Sequence, residues 1–319
     1  MIVLLGAAAA ARREFAWAQE SALPVIGFLA EASPDAMRDR VTAIRRGLAE
    51  IGYAEKRNVT FDWRTADPAD RLKTLAADLV ARRVALIVAV GEPAAAAAKE
   101  ASPTIPIIFI SGNDPHKAGF ATSAERGRNI TGVSWFGPDV APARLGILRQ
   151  IVPKATAFGL LLDANLADAA NTLAAVEAAT QKTSLRLVAL RVRNTAEIEP
   201  AFATLAAQHA GGLVVSGGDV FTNARAQLIA LSIRHNVPTV YAARDIAVDG
   251  GLASYGQSVS DAFRRAGIYA GWILKGAQAA DLPILASAKL ELVFNLKAAT
   301  GFGVDVPPNL LAAADEVIR

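Results

Sequence analysis

Whatever chemistry this chain performs is carried by short polar turns, each placed directly behind an apolar run. Ala30-Glu31-Ala32-Ser33 follows residues 25–29, Gly91-Glu92 follows 86–90, and Ser111-Gly112-Asn113-Asp114 follows 105–110. In the second half, Asp163-Ala164-Asn165 follows 158–162, Ser216-Gly217-Gly218-Asp219 follows 212–215, and Arg244-Asp245 comes soon after 237–241; Tyr255-Gly256-Gln257-Ser258 is a further set. These residue types suit recognition. Backbone N–H groups at Gly91-Glu92 and Gly217-Gly218 can receive a carboxylate, with Ser111 and Asn165 adding hydrogen bonds. Glu31, Glu92, Asp114 and Asp219 can meet an ammonium or hydroxyl, Asp163 is a further ligand-facing candidate, and Phe136, Tyr241 and Tyr255 can stack on a ring. Any one of these polar residues, taken alone, reads as a turn or helix cap. Their recurrence at equivalent places in both halves favours a ligand site.

Covalent chemistry finds little support. The chain has no cysteine, which excludes disulfides, thiolate nucleophiles and cysteine-ligated metals. His209 and His235 stand where helices are expected to end, and His116 follows Asp114-Pro115 in a loop. There is no glycine-rich dinucleotide fingerprint, no phosphate-binding loop, no serine elbow and no paired-histidine zinc motif. The expectation is a protein that is not an enzyme and that uses no cofactor or metal. The net charge is only +3, and the basic residues come singly or in pairs, as on solvated helix faces, so no nucleic-acid partner is expected.

The elements that must position these turns alternate regularly. Strand-like runs are expected at 25–29, 59–64, 86–90, 105–110, 130–134, 158–162, 185–191, 212–215, 237–241, 252–255 and 290–296. Helices fall between them, among them 37–51, 69–81, 140–151, 167–182, 196–208 and 261–274, with one more running from the 216–219 turn to Arg234. One unit occurs twice, about a hundred and twenty-five residues apart: strand, glycine turn, helix, then a strand led by proline at Pro106 and again at Pro238. The chain's 319 residues, 53% of them hydrophobic, suffice for two cores. The fold class is α/β: two doubly wound lobes with parallel sheets, right-handed crossovers and ligand-facing residues just after the strands. Residues 24–134 plus about 257–290 are assigned to the first lobe, and 135–256 plus about 291–319 to the second. The junctions fall near 134–138 and 250–257.

Residues 1–23 read as a signal-like segment. Residues 1–11 are apolar, and Ala16-Trp17-Ala18 offers a small-x-small cleavage site, although the pair Arg12-Arg13 follows the apolar run instead of preceding it. No later stretch approaches the roughly 20 uninterrupted apolar residues of a membrane helix.

Ordered motifs along the chain carry a family resemblance. They include Val25-Ile26-Gly27-Phe28-Leu29, Gly47-Leu48 with Gly52-Tyr53, Asn58-Val59, Ile105-Pro106-Ile107, Asn129-Ile130-Thr131-Gly132-Val133-Ser134 and the stretch 145–153. Later come Gly250-Gly251-Leu252-Ala253-Ser254-Tyr255-Gly256, Arg264-Arg265-Ala266-Gly267, Ile273-Leu274-Lys275-Gly276, Asp281-Leu282-Pro283, Asn295-Leu296-Lys297 and Val306-Pro307-Pro308. Together they resemble the ABC-transporter substrate-binding proteins of the TrpX-like, tryptophan/tyrosine-type family over about residues 24 to 319.

The resemblance implies a type I periplasmic-binding-protein fold, with two lobes joined by hinge strands. It further implies a periplasmic protein that closes on a small-molecule ligand and delivers it to an ABC permease in the membrane, while the two-lobe repeat and the chain crossings lead to the expectation of a monomer. The sequence departs from the family at Ala30-Glu31 and Gly91-Glu92, where acidic residues favour a ligand bearing an ammonium or several hydroxyls. A sensor domain feeding a signalling partner is the alternative function, and a two-lobed α/β enzyme a more distant one.

Overall fold

The computed structural model describes residues 23–31, 37–66, 69–113, 115, 119–120, 129–135, 137, 139–181, 185–286 and 289–319. The signal-like segment, apart from Leu23, and Asp114, His116 and Phe136 lie outside the described residues.

The first half runs β1 (Val25–Ala30), α1 (Arg38–Glu50), β2 (Thr60–Thr65), α2 (Leu72–Ala81), β3 (Leu86–Val90), α3 (Glu92–Ala101), β4 (Ile107–Ser111) and β5 (Ile130–Ser134). It continues as α4 (Ala141–Ile151), β6 (Ala157–Asp163), α5 (Ala169–Gln181), β7 (Arg186–Val192), α6 (Ile198–Ala207), β8 (Leu213–Val215), α7 (Asp219–Asn223), α8 (Arg225–Arg234), β9 (Thr239–Tyr241), α9 (Arg244–Val248) and β10 (Ala253–Gln257). The last elements are α10 (Val259–Leu274), β11 (Leu285–Ala286), β12 (Leu290–Asn295), α11 (Leu296–Phe302), α12 (Pro308–Ala313) and β13 (Glu316–Ile318).

These strands form two sheets, ordered β11-β5-β4-β3-β1-β2 and β13-β12-β10-β9-β8-β6-β7. Within each, the five consecutive strands lie in the order second, first, third, fourth, fifth, the doubly wound pattern in which chain direction reverses beside the first strand. The repeat seen in the sequence is therefore a repeat of topology. The chain passes between the sheets after β5, after β10 and again after β11.

Alternation along the strands divides each sheet's core in two. Ile26, Phe28, Val88 and Ile110 face α1 and α10, while Leu29, Ile87, Ala89 and Phe109 face α2 and α3. In the second sheet, Phe158, Leu160 and Val214 face α4, and Leu161, Leu213 and Tyr241 face α6 and α8. Helix α10 packs on the first sheet although it follows β10 of the second, so the late crossing is fixed by burial of Phe263, Ala266 and Ala270.

The structure departs from the sequence reading in three places. The sheets are not parallel throughout, since β12 pairs antiparallel with β10. The chain leaves β10 for the first sheet through α10 and β11 and returns along β12, so it re-enters the second sheet from the crossing side. The helix expected up to Arg234 is broken at Ala224 into α7 and α8. Strands β11 and β13, of two and three residues, are too short for any hydrophobic period to announce them.

Candidate functional site

The polar turns stand at the carboxyl ends of the strands. In the first sheet, β1 and β3 flank the point where chain direction reverses, and they end at Glu31 and at Gly91-Glu92. Gly91 has φ +87° and precedes α3, a conformation that side chains resist, so glycine is what lets the chain turn from β3 into the helix. Its N–H is donated to Ile110 O at 2.9 Å. Glu92 begins α3 and is half-buried, whereas Glu31 is exposed. Ser111 is buried, and its Oγ accepts the Asn113 N–H at 3.0 Å. Ser134 Oγ donates to Asn113 O at 2.9 Å, and the Trp135 N–H donates to Ser111 O at 3.0 Å. The Trp135 indole lies against Gly112, which places an aromatic ring beside this turn.

In the second sheet the corresponding turns follow β6 and β8, and they are bonded together. Asp163 is buried; its Oδ1 accepts the Asn165 N–H at 2.9 Å and the Asn165 side-chain amide at 3.0 Å, while its own N–H meets Ser216 Oγ at 3.3 Å. Asn165 also donates to Arg193 O at 2.8 Å. Gly218 has φ +140° and abuts the Asp163 carboxylate. Asp219, the first residue of α7, is exposed.

Two groups that the sequence reading left out organise this end of the second sheet. Asp139, in the stretch that crosses from β5, accepts the Ala141 N–H at 2.8 Å through Oδ1 and the Gly217 N–H at 3.0 Å through Oδ2. Arg144 of α4 is 1% exposed; it is ion-paired to Asp139 Oδ1 through Nη2 and donates from Nη1 to Tyr255 O at 2.9 Å. Burial lowers the Arg144 pKa from its ordinary value, and the Asp139 carboxylate offsets that pull. Asp139-Val140-Ala141-Pro142 carries the signal of an acidic cap ahead of a helix with proline in its first turn, which would have found Asp139 as a cap but not as the partner of Gly217.

Several sequence assignments change as a result. The Gly91 and Gly217 amides, expected to receive a ligand carboxylate, are already donated within the protein, to Ile110 and Asp139. Asp163 and Asn165 spend hydrogen bonds on each other and shape the turn. Tyr241 has no exposed surface; its hydroxyl bonds Ser232 Oγ at 2.8 Å, and burial pushes its pKa up to about 12. It packs in the core because β9 turns that residue towards α8. Tyr255 is half-buried on β10 against the α4 core. His235 stands at the end of α8 as expected, and His209 follows α6 at φ +51°. Among the described residues no three acidic or histidine side chains cluster as metal ligands would.

Two sheets of one topology, crossed three times by the chain and ending in matched polar turns, define a two-lobed binding protein of the type I periplasmic fold. Residues 25–318 match the model of the family described as ABC transporter substrate binding protein, and the chain belongs to that family. A tyrosine-binding protein of Clostridioides difficile is 22% identical over 253 residues, 78% of this chain and 72% of that protein. Among solved structures, an ABC domain from Streptococcus pneumonia in complex with L-Trp superposes with a TM-score of 0.71 at 24% identity, covering 93% of this chain and all of that one. A ligand-free, open substrate-binding protein with adhesive properties from Clostridium difficile gives 0.72 at 21% identity, covering 93% and 99%. At these identities the structural likeness speaks for the fold. No helix among the described residues is long and apolar enough to cross a membrane.

Proposed function

We propose that this protein is the extracytoplasmic solute-binding component of an ABC importer, and that it takes an amino-acid-like solute, aromatic or polar, between its two lobes. The observation that carries the reading is the pairing of family membership with matched polar turns at the carboxyl ends of both sheets, where doubly wound folds bind their ligands. The tyrosine-binding relative and the L-Trp complex support an aromatic amino acid as the first candidate. Glu31, Glu92 and Asp219 would meet the ligand's ammonium or hydroxyls, Ser111 and the Gly218 turn would supply hydrogen bonds, and Tyr255 with Phe136 would line its ring. Asp114 belongs to the same set. Asp163, Asn165, Gly91 and Gly217 would shape the walls.

The ligand adds contacts to both lobes only when they approach, and that difference in affinity drives closure about the crossings. The lobes would be residues 24–134 with about 257–290, and 135–256 with about 291–319. The protein would act as a monomer outside the cytoplasmic membrane, led there by residues 1–23, and hand its ligand to a permease. A thermal-shift screen over amino acids, small aromatic acids and polyols tests the proposal. A ligand at a hundredfold above its Kd stabilises the native state by about 2.7 kcal/mol. A screen in which no amino acid raises the melting temperature, while another class does, would refute the solute class.

A further inference from the structure

Strand β10 concentrates unsatisfied polar groups. Among the described residues, four buried side-chain polar atoms lack a hydrogen-bond partner: Ser254 Oγ, Gln257 Oε1, Arg144 Nε and Arg64 Nε. The first two belong to β10, and the third belongs to the guanidinium bonded to that strand's Tyr255 O. Buried polar atoms without partners are rare and costly. Two of them on β10 and a third on the guanidinium beside it single out the strand that leads directly into α10 and the first sheet.

Arg144 and Asp139 stand at the centre of that place. Asp139 lies on the first crossing, bonds the Gly217 amide of the turn after β8, and is paired to Arg144, which in turn bonds Tyr255 O on β10, the strand of the second crossing. A buried ion pair is a poor way to stabilise a core, because apolar side chains of similar volume do as well or better. Leu145 and Leu148 show that α4 supplies such side chains to the core beside Arg144. The pair's distinctive property is what it connects: the glycine turn at the candidate site with the first two of the three crossing segments. From this we infer that Asp139 and Arg144 are positioning residues that couple ligand occupancy at the Gly217-Gly218 turn to the hinge, a role resting on the proposed cleft-binding function. When the lobes move, the second sheet and α4 move as one body, and the pair carries the position of the Gly217-Gly218 turn to the chain where it enters that body, at Asp139, and where it leaves it, at the end of β10.

The test compares the parent with Arg144→Met, Asp139→Ala and the double variant, using L-tryptophan and L-tyrosine as probes and residue-resolved amide exchange without ligand. Each single variant leaves a buried charge unpaired and melts lower than the parent; the double variant recovers much of that loss. In the double variant, binding of the better probe nonetheless stays about tenfold weaker, and the amides of Gly217 and of residues 256–258 exchange faster than in the parent. A double variant that binds within about twofold of the parent overturns the inference and leaves a structural ion pair, because loss of the Asp139 acceptor alone already frees the Gly217 amide. If the parent binds neither probe, the proposed ligand class fails, and the exchange arm decides in Arg144→Met, which keeps Asp139 as the acceptor of the Gly217 amide: faster exchange at both Gly217 and 256–258 supports the coupling, and unchanged exchange at either refutes it.

Discussion

Gly218 stands directly against Asp163, with the Asp163 carboxylate filling the space that a Cβ on Gly218 would occupy. The contact joins the turn after β8 to the turn after β6, so two segments 55 residues apart in sequence form one wall at the carboxyl edge of the second sheet. With φ at +140°, Gly218 also holds a backbone conformation reserved for glycine. Gly218→Ala is therefore expected to lower stability by about 1–3 kcal/mol from backbone strain alone, with the Asp163 contact adding to it. Urea unfolding measures this. A loss within about 0.5 kcal/mol, the range of ordinary surface changes, would mean that the turn relaxes freely.

Tyr241 separates packing from binding. Tyr241→Phe removes the hydrogen bond to Ser232 and is expected to cost about 0.5–1.5 kcal/mol while leaving ligand affinity unchanged, because the ring has no exposed surface. Its phenol titrates at about 12 in the folded protein against 10.0 ordinarily. The unfolded chain thus releases that proton first. The stabilising contribution is complete below pH 10 and is lost as pH rises through about 12. Tyr269, raised by burial as well, adds to the same alkaline loss. Melting temperatures above pH 10 should fall less steeply in Tyr241→Phe than in the parent, and an identical fall would contradict the buried-phenol account.

Glu291 gives a second pH dependence, at the acid end. Burial raises its pKa above the ordinary 4.5, against the pull of Ser258, whose hydroxyl donates to it at 3.1 Å, and of Arg244; Asp315 adds repulsion and Lys289 a weak attraction. A raised carboxyl stabilises the fold when protonated, so its contribution is full below pH 4.5 and is lost as pH rises through the folded-state value. Glu291→Gln keeps the Ser258 partner and removes the titration. Its stability should change less than the parent's over that window, as read from melting temperatures at successive pH values. A steeper profile in the variant would show the ionised form to be the favoured one.

Much of the fold was legible in the sequence because the repeated unit is built from long apolar runs and glycine turns. Leu86–Val90 and Ala157–Asp163 are buried at every position, the pattern of parallel strands covered on both faces. The antiparallel return of β12 was not legible, since direction depends on where the chain goes between strands and not on the residues within them. The site was legible by position more than by role. Gly91 and Gly218 stand at strand ends as expected, but only coordinates show that the Gly217 amide is donated to Asp139, 78 residues earlier. Tyr241 follows the same rule in reverse. A tyrosine at a strand's end reads as a ring for stacking until the strand's facing shows that it points into the α6–α8 core.

The acidic turns should discriminate among ligands. Glu31 and Asp219 are exposed and Glu92 is half-buried; Glu31 directly follows β1, while Glu92 and Asp219 are the first residues of α3 and α7, behind the turns where the proposed ligand's ammonium would lie. Losing a charge-assisted contact costs about 1.5–3 kcal/mol, a factor of ten or more in Kd. Glu92→Gln and Asp219→Asn, measured separately with Glu31→Gln alongside, should include at least one variant weakened by that factor. Binding within about twofold of the parent in all three would assign these residues to caps and surface.

Calorimetric titration of the purified chain with L-tryptophan and L-tyrosine tests the central claim most directly. The account predicts saturable binding of at least one of them at one site per chain, together with a smaller radius of gyration at saturation as the lobes close. Absence of saturable heat with either ligand and with every other standard amino acid would contradict it.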